Sequence, residues 1–215
     1  MTRTGYDRVK RLIDAAGAAA ALILLSPLLA LVAAVVAMTL GRPVLFRQVR
    51  PGRHGRLFPL LKFRTMRPVD PSAGPVADTA ALASDGDRLT AVGRFLRSAS
   101  LDELPTLWNV LRGQMSFVGP RPLLVDYLDR YSTFEARRHE VRPGVTGLAQ
   151  VRGRNALTWE QRFRYDVWYV DHRCLALDLR ILAETVGAVL SRDGICAQGS
   201  PTALEFTGSL SGPRR

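Results

Sequence analysis

From Ala15 to Leu40 the chain runs 26 residues without a single charge, and no other feature narrows its possible folds as much. The run contains Ala21-Leu-Ile-Leu-Leu25 and Leu28-Leu-Ala-Leu-Val-Ala-Ala-Val-Val36. As a straight helix rising ~1.5 Å per residue it would be about 39 Å long, enough to cross a bilayer core. A cleavable signal peptide fits poorly, because its apolar region is only ~7–15 residues long. The run also ends in Thr39-Leu-Gly-Arg-Pro43 rather than in a small-residue cleavage site. Two features argue against a simple crossing. Ser26-Pro27 lies near the middle, where a proline removes a backbone donor and kinks a helix. Both flanks are also basic: Arg3, Arg8, Lys10 and Arg11 precede the run against Asp7 and Asp14, and Arg42, Arg47, Arg50, Arg53 and Arg56 follow it with no acid among them. Basic flanks stay in the cytoplasm, and one crossing cannot keep both there. A helix that enters, breaks at Ser26-Pro27 and returns to the same face can, so re-entry is expected. The rival is a single kinked span.

The rest of the chain must suit an anionic partner. Lys and Arg number 30 against 19 Asp and Glu, a formal net charge of +11, although 47% of the residues are apolar. Nucleic acid, membrane head-groups and phosphorylated small molecules all qualify. The two cysteines, Cys174 and Cys196, are far apart and suggest neither a disulfide framework nor a zinc site. His54, His139 and His172 are scattered and read as buried or solvated imidazoles rather than a metal cluster.

Beyond the apolar run, Leu60-Leu-Lys-Phe-Arg-Thr-Met66 reads as a strand. Its period of two puts Lys62, Arg64 and Met66 on one face and Leu61, Phe63 and Thr65 on the other. Residues 68–88 read as a surface loop. Arg94 to Leu111 reads as helical with a fresh start near Ser100. The Gly119-Pro-Arg-Pro122 turn leads into an amphipathic helix through about Arg138. A loop region is expected from Arg142 to Asn155, and helices over Thr158–Tyr169 and Leu177–Leu190. The Gly/Ser/Pro-rich tail from Ala197 reads as loose.

Chemistry concentrates in Leu101-Asp-Glu-Leu-Pro105. Ser100 and Glu103 match a capping box, and from spacing alone that structural reading of Glu103 is preferred. Against it, two adjacent carboxylates can share a divalent cation, a helix N-terminus gathers anions, and a carboxylate can attack phosphorus. Arginines stand nearby on rigid backbone. Arg121 is held between Pro120 and Pro122, Arg142 opens Arg142-Pro-Gly-Val-Thr-Gly147, and Arg152 and Arg154 flank Gly153. The planar guanidinium fork suits phosphate oxygens, so these turns together with the carboxylate pair point to a phosphate site.

Four segments carry a family resemblance: Lys62-Phe-Arg-Thr-Met66, Arg97-Ser-Ala-Ser-Leu-Asp-Glu-Leu-Pro105, the stretch from Trp108 to Leu124, and the stretch from Arg142 to Asn155. In order and wording the chain resembles the monotopic phosphoglycosyl transferases, the bacterial sugar transferase family, from near Tyr6 to about Leu190. It looks like the small stand-alone form. The resemblance implies a mixed α/β, helix-dominated fold. An N-terminal re-entrant membrane helix (residues 1–41) would precede a small cytoplasmic catalytic domain with interfacial amphipathic helices (42–196), and a loose tail (197–215) would follow.

The same resemblance implies that Asp102 attacks the sugar-bearing phosphate of a UDP-sugar, expelling UMP, and that undecaprenyl phosphate then takes the phosphosugar. Asp102 and Glu103 would be catalytic and would hold Mg²⁺. Lys62, Arg64, Arg97, Arg121, Arg142 and Arg154 would hold phosphates or nucleotide, and Ser26 and Pro27 would break the membrane helix. Membrane phospholipids are implied partners on the cytoplasmic face of the inner membrane. A homodimer stays open, as do the sugar and the glycan pathway. One alternative is a direct transfer with Asp102 as general base. A membrane-anchored nucleic-acid binder is another, but aromatics are only 7% of the chain. Its basic residues also sit in phosphate-cradling turns rather than among exposed rings.

Overall fold

A computed structural model describes residues 3–67, 88–153, 157–190 and 206–208. The expected surface loop at 68–88 and Arg154 therefore lie outside the described residues, Arg88 apart, and so does most of the expected tail. The apolar run forms two helices, α1 (Arg3–Leu24) and α2 (Ser26–Leu40). Neither passes alone as a membrane span, but Gly5–Leu24 and Ser26–Leu40 pass together, bent by 64° at the break. The chemistry of the break is local. Pro27 has no N–H to give the carbonyl of Ile23 four residues back. The Ser26 hydroxyl donates to that oxygen instead, at 2.8 Å, so the bend leaves no orphaned acceptor there.

Strands β1 (Leu45–Pro51) and β2 (Leu57–Phe63) form an antiparallel hairpin with Phe46 opposite Lys62 and Arg50 opposite Phe58. Then come α3 (Ala91–Ser98), a 3₁₀ turn at Leu101–Glu103 and the short α4 (Thr106–Leu111). Thr90 caps α3 by accepting from the Gly93 N–H. Buried Asn109 stitches α4 to the hairpin: its side chain accepts from the Leu61 N–H at 3.1 Å and donates to the Pro59 carbonyl at 2.8 Å. Leu101 and Leu104, which bracket the acidic pair, pack with Val32 and Val36 of α2, Phe63 of β2 and Leu96 of α3. Each fully buried aliphatic side chain contributes roughly 1.5–3 kcal/mol. The apolar half of Leu-Asp-Glu-Leu thus fastens its acids beside the bent helix pair.

Two expectations for the second half are corrected. The helix from the Pro-Arg-Pro turn to Arg138 is instead a 3₁₀ turn (Val125–Arg130), the one-turn α5 (Thr133–Ala136) and a second 3₁₀ turn (Arg137–Glu140). Tyr131 and Ser132 are extended, and Ser132 starts a new helix through a complete capping box with Glu135. The expected 142–155 loop contains β4 (Gly144–Thr146) and α6 (Leu148–Arg152). Strand β4 lies parallel to β3 (Ser116–Val118). Glycine permits that approach: a Cβ on Gly144 would stand 2.1 Å from the Gly119 nitrogen, so the two motif segments interlock. Helices α7 (Trp159–His172) and α8 (Leu175–Leu190) follow, α7 beginning at a Thr158–Gln161 capping box.

Side-chain clasps join α1 to the rest. On α1, Arg11 donates to the Val110 and Leu111 carbonyls at the end of α4, both at 2.7 Å. Asp178 of α8 accepts from Lys10, from Tyr6 and from Tyr169. Of the expected loose tail, Phe206 is not loose. It is buried among Tyr127, Tyr131, Trp159 and Phe163, and its carbonyl accepts from Arg130 at 2.6 Å.

Candidate active site

Asp102 and Glu103 occupy the 3₁₀ turn between α3 and α4, and the expected capping box is absent. Ser100 sits in the left-handed region at φ 55° and its side chain makes no capping bond. The Glu103 carboxylate instead accepts from Lys62 Nζ at 2.6 Å and from Arg121 at 3.1 Å, both through Oε1. The structural reading favoured by spacing is thereby overturned. The preference of a capping box is worth only about 1 kcal/mol, and two cations delivered by distant segments outweigh it.

Each cation arrives by a different device. Lys62 comes from the inward face of β2, which it shares with buried Phe58 and Leu60. Arg121 projects from between two buried prolines, its own side chain 45% exposed. Its backbone is pinned from behind. Arg138, fully buried against Asp166 at 2.8 Å, also donates to the Arg121 carbonyl at 2.6 Å. Neither Arg138 nor Asp166 stands out in the sequence. The available signal was an arginine and an acid on otherwise apolar helix faces, legible only once those faces were known to be buried.

The electrostatics separate the two acids. Burial would raise the Glu103 carboxyl, but Arg121 and Lys62 hold it down at about 2. Asp102, 8% exposed, is raised by burial and then by the charge of Glu103, with Lys62, Arg97 and Arg121 offsetting part of the rise. Burial lowers Lys62, against the opposing pull of Glu103. Asp102 is therefore the desolvated carboxylate, with no ion pair or hydrogen bond to its side chain among the described residues, and Glu103 is the paired one. Desolvation favours nucleophilicity, and the flanking cations suit a phosphate.

The other expected phosphate residues are dispersed. Arg97 donates to Thr65 Oγ1 at 3.0 Å and lies near enough to lower Asp102. Arg64 does not reach this group. Its guanidinium donates to the carbonyls of Leu40, Gly41 and Arg42 and closes the C-terminal end of α2. Arg142 donates to the Gly113 carbonyl at 2.8 Å and lines a cavity with Asp7, Asp14, Arg53 and Arg173.

No group of three or more His, Cys, Asp or Glu among the described residues is placed to hold a metal. Mg²⁺, however, is commonly held by one or two carboxylates completed by substrate phosphates. Asp102 and Glu103, adjacent on one turn, supply the two carboxylates of such an arrangement.

Glu103→Gln should destabilise the protein by about 1–3 kcal/mol, since it leaves the Lys62 ammonium without its anion. The folded carboxyl lies below its ordinary value of 4.5, at about 2. Its contribution is therefore complete above pH 4.5 and lost as pH falls through about 2. Denaturation titrations of the protein at several pH values check this: the Gln variant should lack that acid limb. An unchanged limb would mean that the ion pairs do not form.

A family model described as bacterial sugar transferase matches residues 5–192. A Bacillus subtilis (strain 168) protein named uncharacterized sugar transferase EpsL is 51% identical over 201 residues, covering 94% of this chain and 96% of that protein. The UDP-glucose:undecaprenyl-phosphate glucose-1-phosphate transferase of Caulobacter vibrioides is 43% identical over 201 residues, 90% of this chain and 74% of that protein. The UDP-galactose-lipid carrier transferase of Erwinia amylovora is 41% identical over 197 residues, 86% of this chain but only 41% of that longer protein.

Proposed function

Because this chain belongs to the bacterial sugar transferase family, we propose that it moves a sugar 1-phosphate from a UDP-sugar to undecaprenyl phosphate through a phosphosugar carried on Asp102. The observation that carries this reading is the buried Asp102 carboxylate, unpaired among the described residues, beside the Lys62–Glu103–Arg121 group. The names of similar proteins support the substrate classes.

In the first step an Asp102 oxygen attacks the sugar-bearing phosphorus. The bond from that phosphorus to the bridging oxygen breaks, and the electron pair leaves with UMP. Lys62 and Arg121 balance the charge that develops on the phosphoryl oxygens, already oriented by Glu103. In the second step a phosphate oxygen of the lipid attacks the same phosphorus. The aspartyl oxygen–phosphorus bond breaks, and the carboxylate and a diphosphate-linked sugar lipid result. Mg²⁺ on Asp102 and Glu103 would add neutralising charge at the pyrophosphate when bound. Two separate steps suit a donor that arrives from water and an acceptor held in the membrane.

The bent pair α1–α2 is read as a re-entrant membrane helix and the catalytic part as lying on the cytoplasmic face of the inner membrane. Support comes from exposed apolar side chains at and around the bend, Ile23 and Leu24 at 76% and 79%, with Leu31 and Met38 beyond. Phe95 on α3 and Trp108 on α4 are exposed as well, Trp108 beneath the Arg112 guanidinium, as apolar residues of interfacial helices are.

The test is a panel of UDP-sugars with undecaprenyl phosphate and Mg²⁺, scored by UMP release. One sugar should give turnover that a chelator abolishes. Salt-sensitive oligonucleotide binding with no UMP from any donor would instead favour a nucleic-acid role.

A further inference from the structure

The hairpin brings a further arginine to the site, one that none of the four motif segments contains. Arg50 lies on the same face of β1–β2 as Lys62, since Phe46 pairs with Lys62 and alternate residues share a face. The Arg121 charge reaches it, as do the Tyr127 and Tyr131 rings that follow the Arg121 turn, and the next residue, Pro51, lines a small cavity with Pro120, Arg121 and Pro122. Its guanidinium is incompletely used. One nitrogen donates to Gln48 Oε1 at 2.6 Å, while Nε is buried without any acceptor. Arg50 pairs with no carboxylate among the described residues. Burial, and after it the charge of Arg121, lower it to about 10. Asp102, Glu103, Lys62 and Arg121 together are neutral, so the excess positive charge at this site comes from Arg50 and from Arg97. An orphaned buried donor and two guanidiniums near enough to repel, with no carboxylate on Arg50 among the described residues, are each unfavourable. One anion seated between Arg121 and Arg50 relieves both.

We propose that Arg50 is a binding residue for the nucleoside-side phosphate of the donor, which becomes a phosphate monoester when the bridging bond breaks and which Arg50 and Arg121 retain as the nucleoside monophosphate departs. This assignment rests on the proposed function. With the sugar-bearing phosphorus at Asp102, Lys62 and Arg121, the second phosphate of a pyrophosphate extends one bridge further, and Arg50 stands beyond Arg121 on the hairpin. The lipid acceptor is also a phosphate monoester, so the test must distinguish the two.

The full chain in nanodiscs is assayed as wild type, Arg50→Gln, Arg50→Lys and Arg47→Gln. Arg47 is exposed on the opposite face of the same hairpin and controls for loss of charge alone. A charged hydrogen bond supports a rise of about tenfold to a hundredfold in the donor KM and in the UMP inhibition constant for Arg50→Gln. The KM for undecaprenyl phosphate should stay within about twofold. Arg50→Lys should fall between, and Arg47→Gln should match wild type. UMP should raise the melting temperature of wild type and not that of Arg50→Gln, whose own melting temperature should not fall, because a like-charged neighbour is gone. Should Arg50→Gln not fold, the same comparison runs on Arg50→Lys alone, where unchanged UMP inhibition overturns the proposal. UMP inhibition that survives in Arg50→Gln overturns it as well. A rise in the acceptor KM alone would give this phosphate site to the lipid. If wild type turns over and Arg50→Gln is normal, only the Arg50 assignment fails; if wild type neither turns over any UDP-sugar nor binds UMP, the functional reading fails and takes Arg50 with it.

Discussion

Asp102→Asn should lower UMP release by about a thousandfold or more, as loss of a nucleophile does, while the protein remains folded. The substitution nearly preserves shape, and the Lys62–Glu103–Arg121 ion pairs do not involve the replaced oxygen. Stability should hold or rise. Asp102 is raised by burial and by Glu103, so the folded state binds its proton more tightly than the unfolded chain. Stability is therefore lost as pH climbs from the ordinary aspartate value through the folded one. Above that window the ionised acid is a standing cost that asparagine removes, a common trade where a site favours reactivity over stability. Wild type given labelled UDP-sugar without lipid should release at most one UMP per site and gain the mass of one phosphosugar. Undecaprenyl phosphate should then discharge the adduct, and initial rates should give parallel lines. If rapid quenching finds no adduct and UMP appears only after lipid is added, Asp102 acts as a base in a direct transfer.

The second large effect concerns topology. In a background without Cys174 and Cys196, single cysteines near Arg3 and Arg53 should both resist an impermeant thiol reagent applied outside intact cells. Labelling of the N-terminal position would establish a full span. Replacing Ser26 and Pro27 with leucine restores the missing N–H to the Ile23 carbonyl and removes the hydroxyl that now serves it. A continuous helix from Gly5 to Leu40 would be about 54 Å long, ample to cross. Two sets of forces then compete. Straightening recovers regular helix geometry, but moving α1 outward breaks the Arg11 clasp on α4, the Lys10–Asp178 pair and the bidentate Asp7–Arg173 pair at 2.9 and 3.0 Å. The expected result is an N-terminus that labels from outside and a protein without UMP release. A double-leucine variant that stays unlabelled and active would mean that the clasps hold the bend and that Ser26-Pro27 merely accommodates it.

Much of this is legible in the sequence, and the legible parts share a physical character. An uncharged run of this length, a proline within it and basic flanks on both sides are properties of consecutive residues. They constrain a helix and its bend through hydrogen bonds three or four residues long. The helices at 159–172 and 175–190 were visible for the same reason. The Leu-Asp-Glu-Leu segment and the glycine- and proline-rich turns were recognisable as wording.

What each charged side chain does was another matter. Glu103 could cap its own helix or face distant cations, and spacing chose wrongly because its partners lie 41 and 18 residues away. Arg64, Arg121 and Arg142 carry one chemistry, yet the first closes the end of a helix, the second meets a carboxylate and the third holds a loop carbonyl. A guanidinium donates equally well to a carbonyl, a carboxylate or a phosphate, so only the neighbour brought to it decides its role. Arg50 shows the converse. Within its flank it is one basic residue among five, and it becomes part of the site only through the strand register that sets it on the face of Lys62. Phe206, in a stretch whose composition spoke for disorder, is buried because four aromatic rings from elsewhere in the chain make a place for it. The sequence by itself determined the elements whose hydrogen bonds are local and the identity of the acidic pair. Tertiary structure decided which ions pair, which acid stays unpaired and which arginines face it, because charges and rings distant along the chain acquire their energies only when packing sets them side by side.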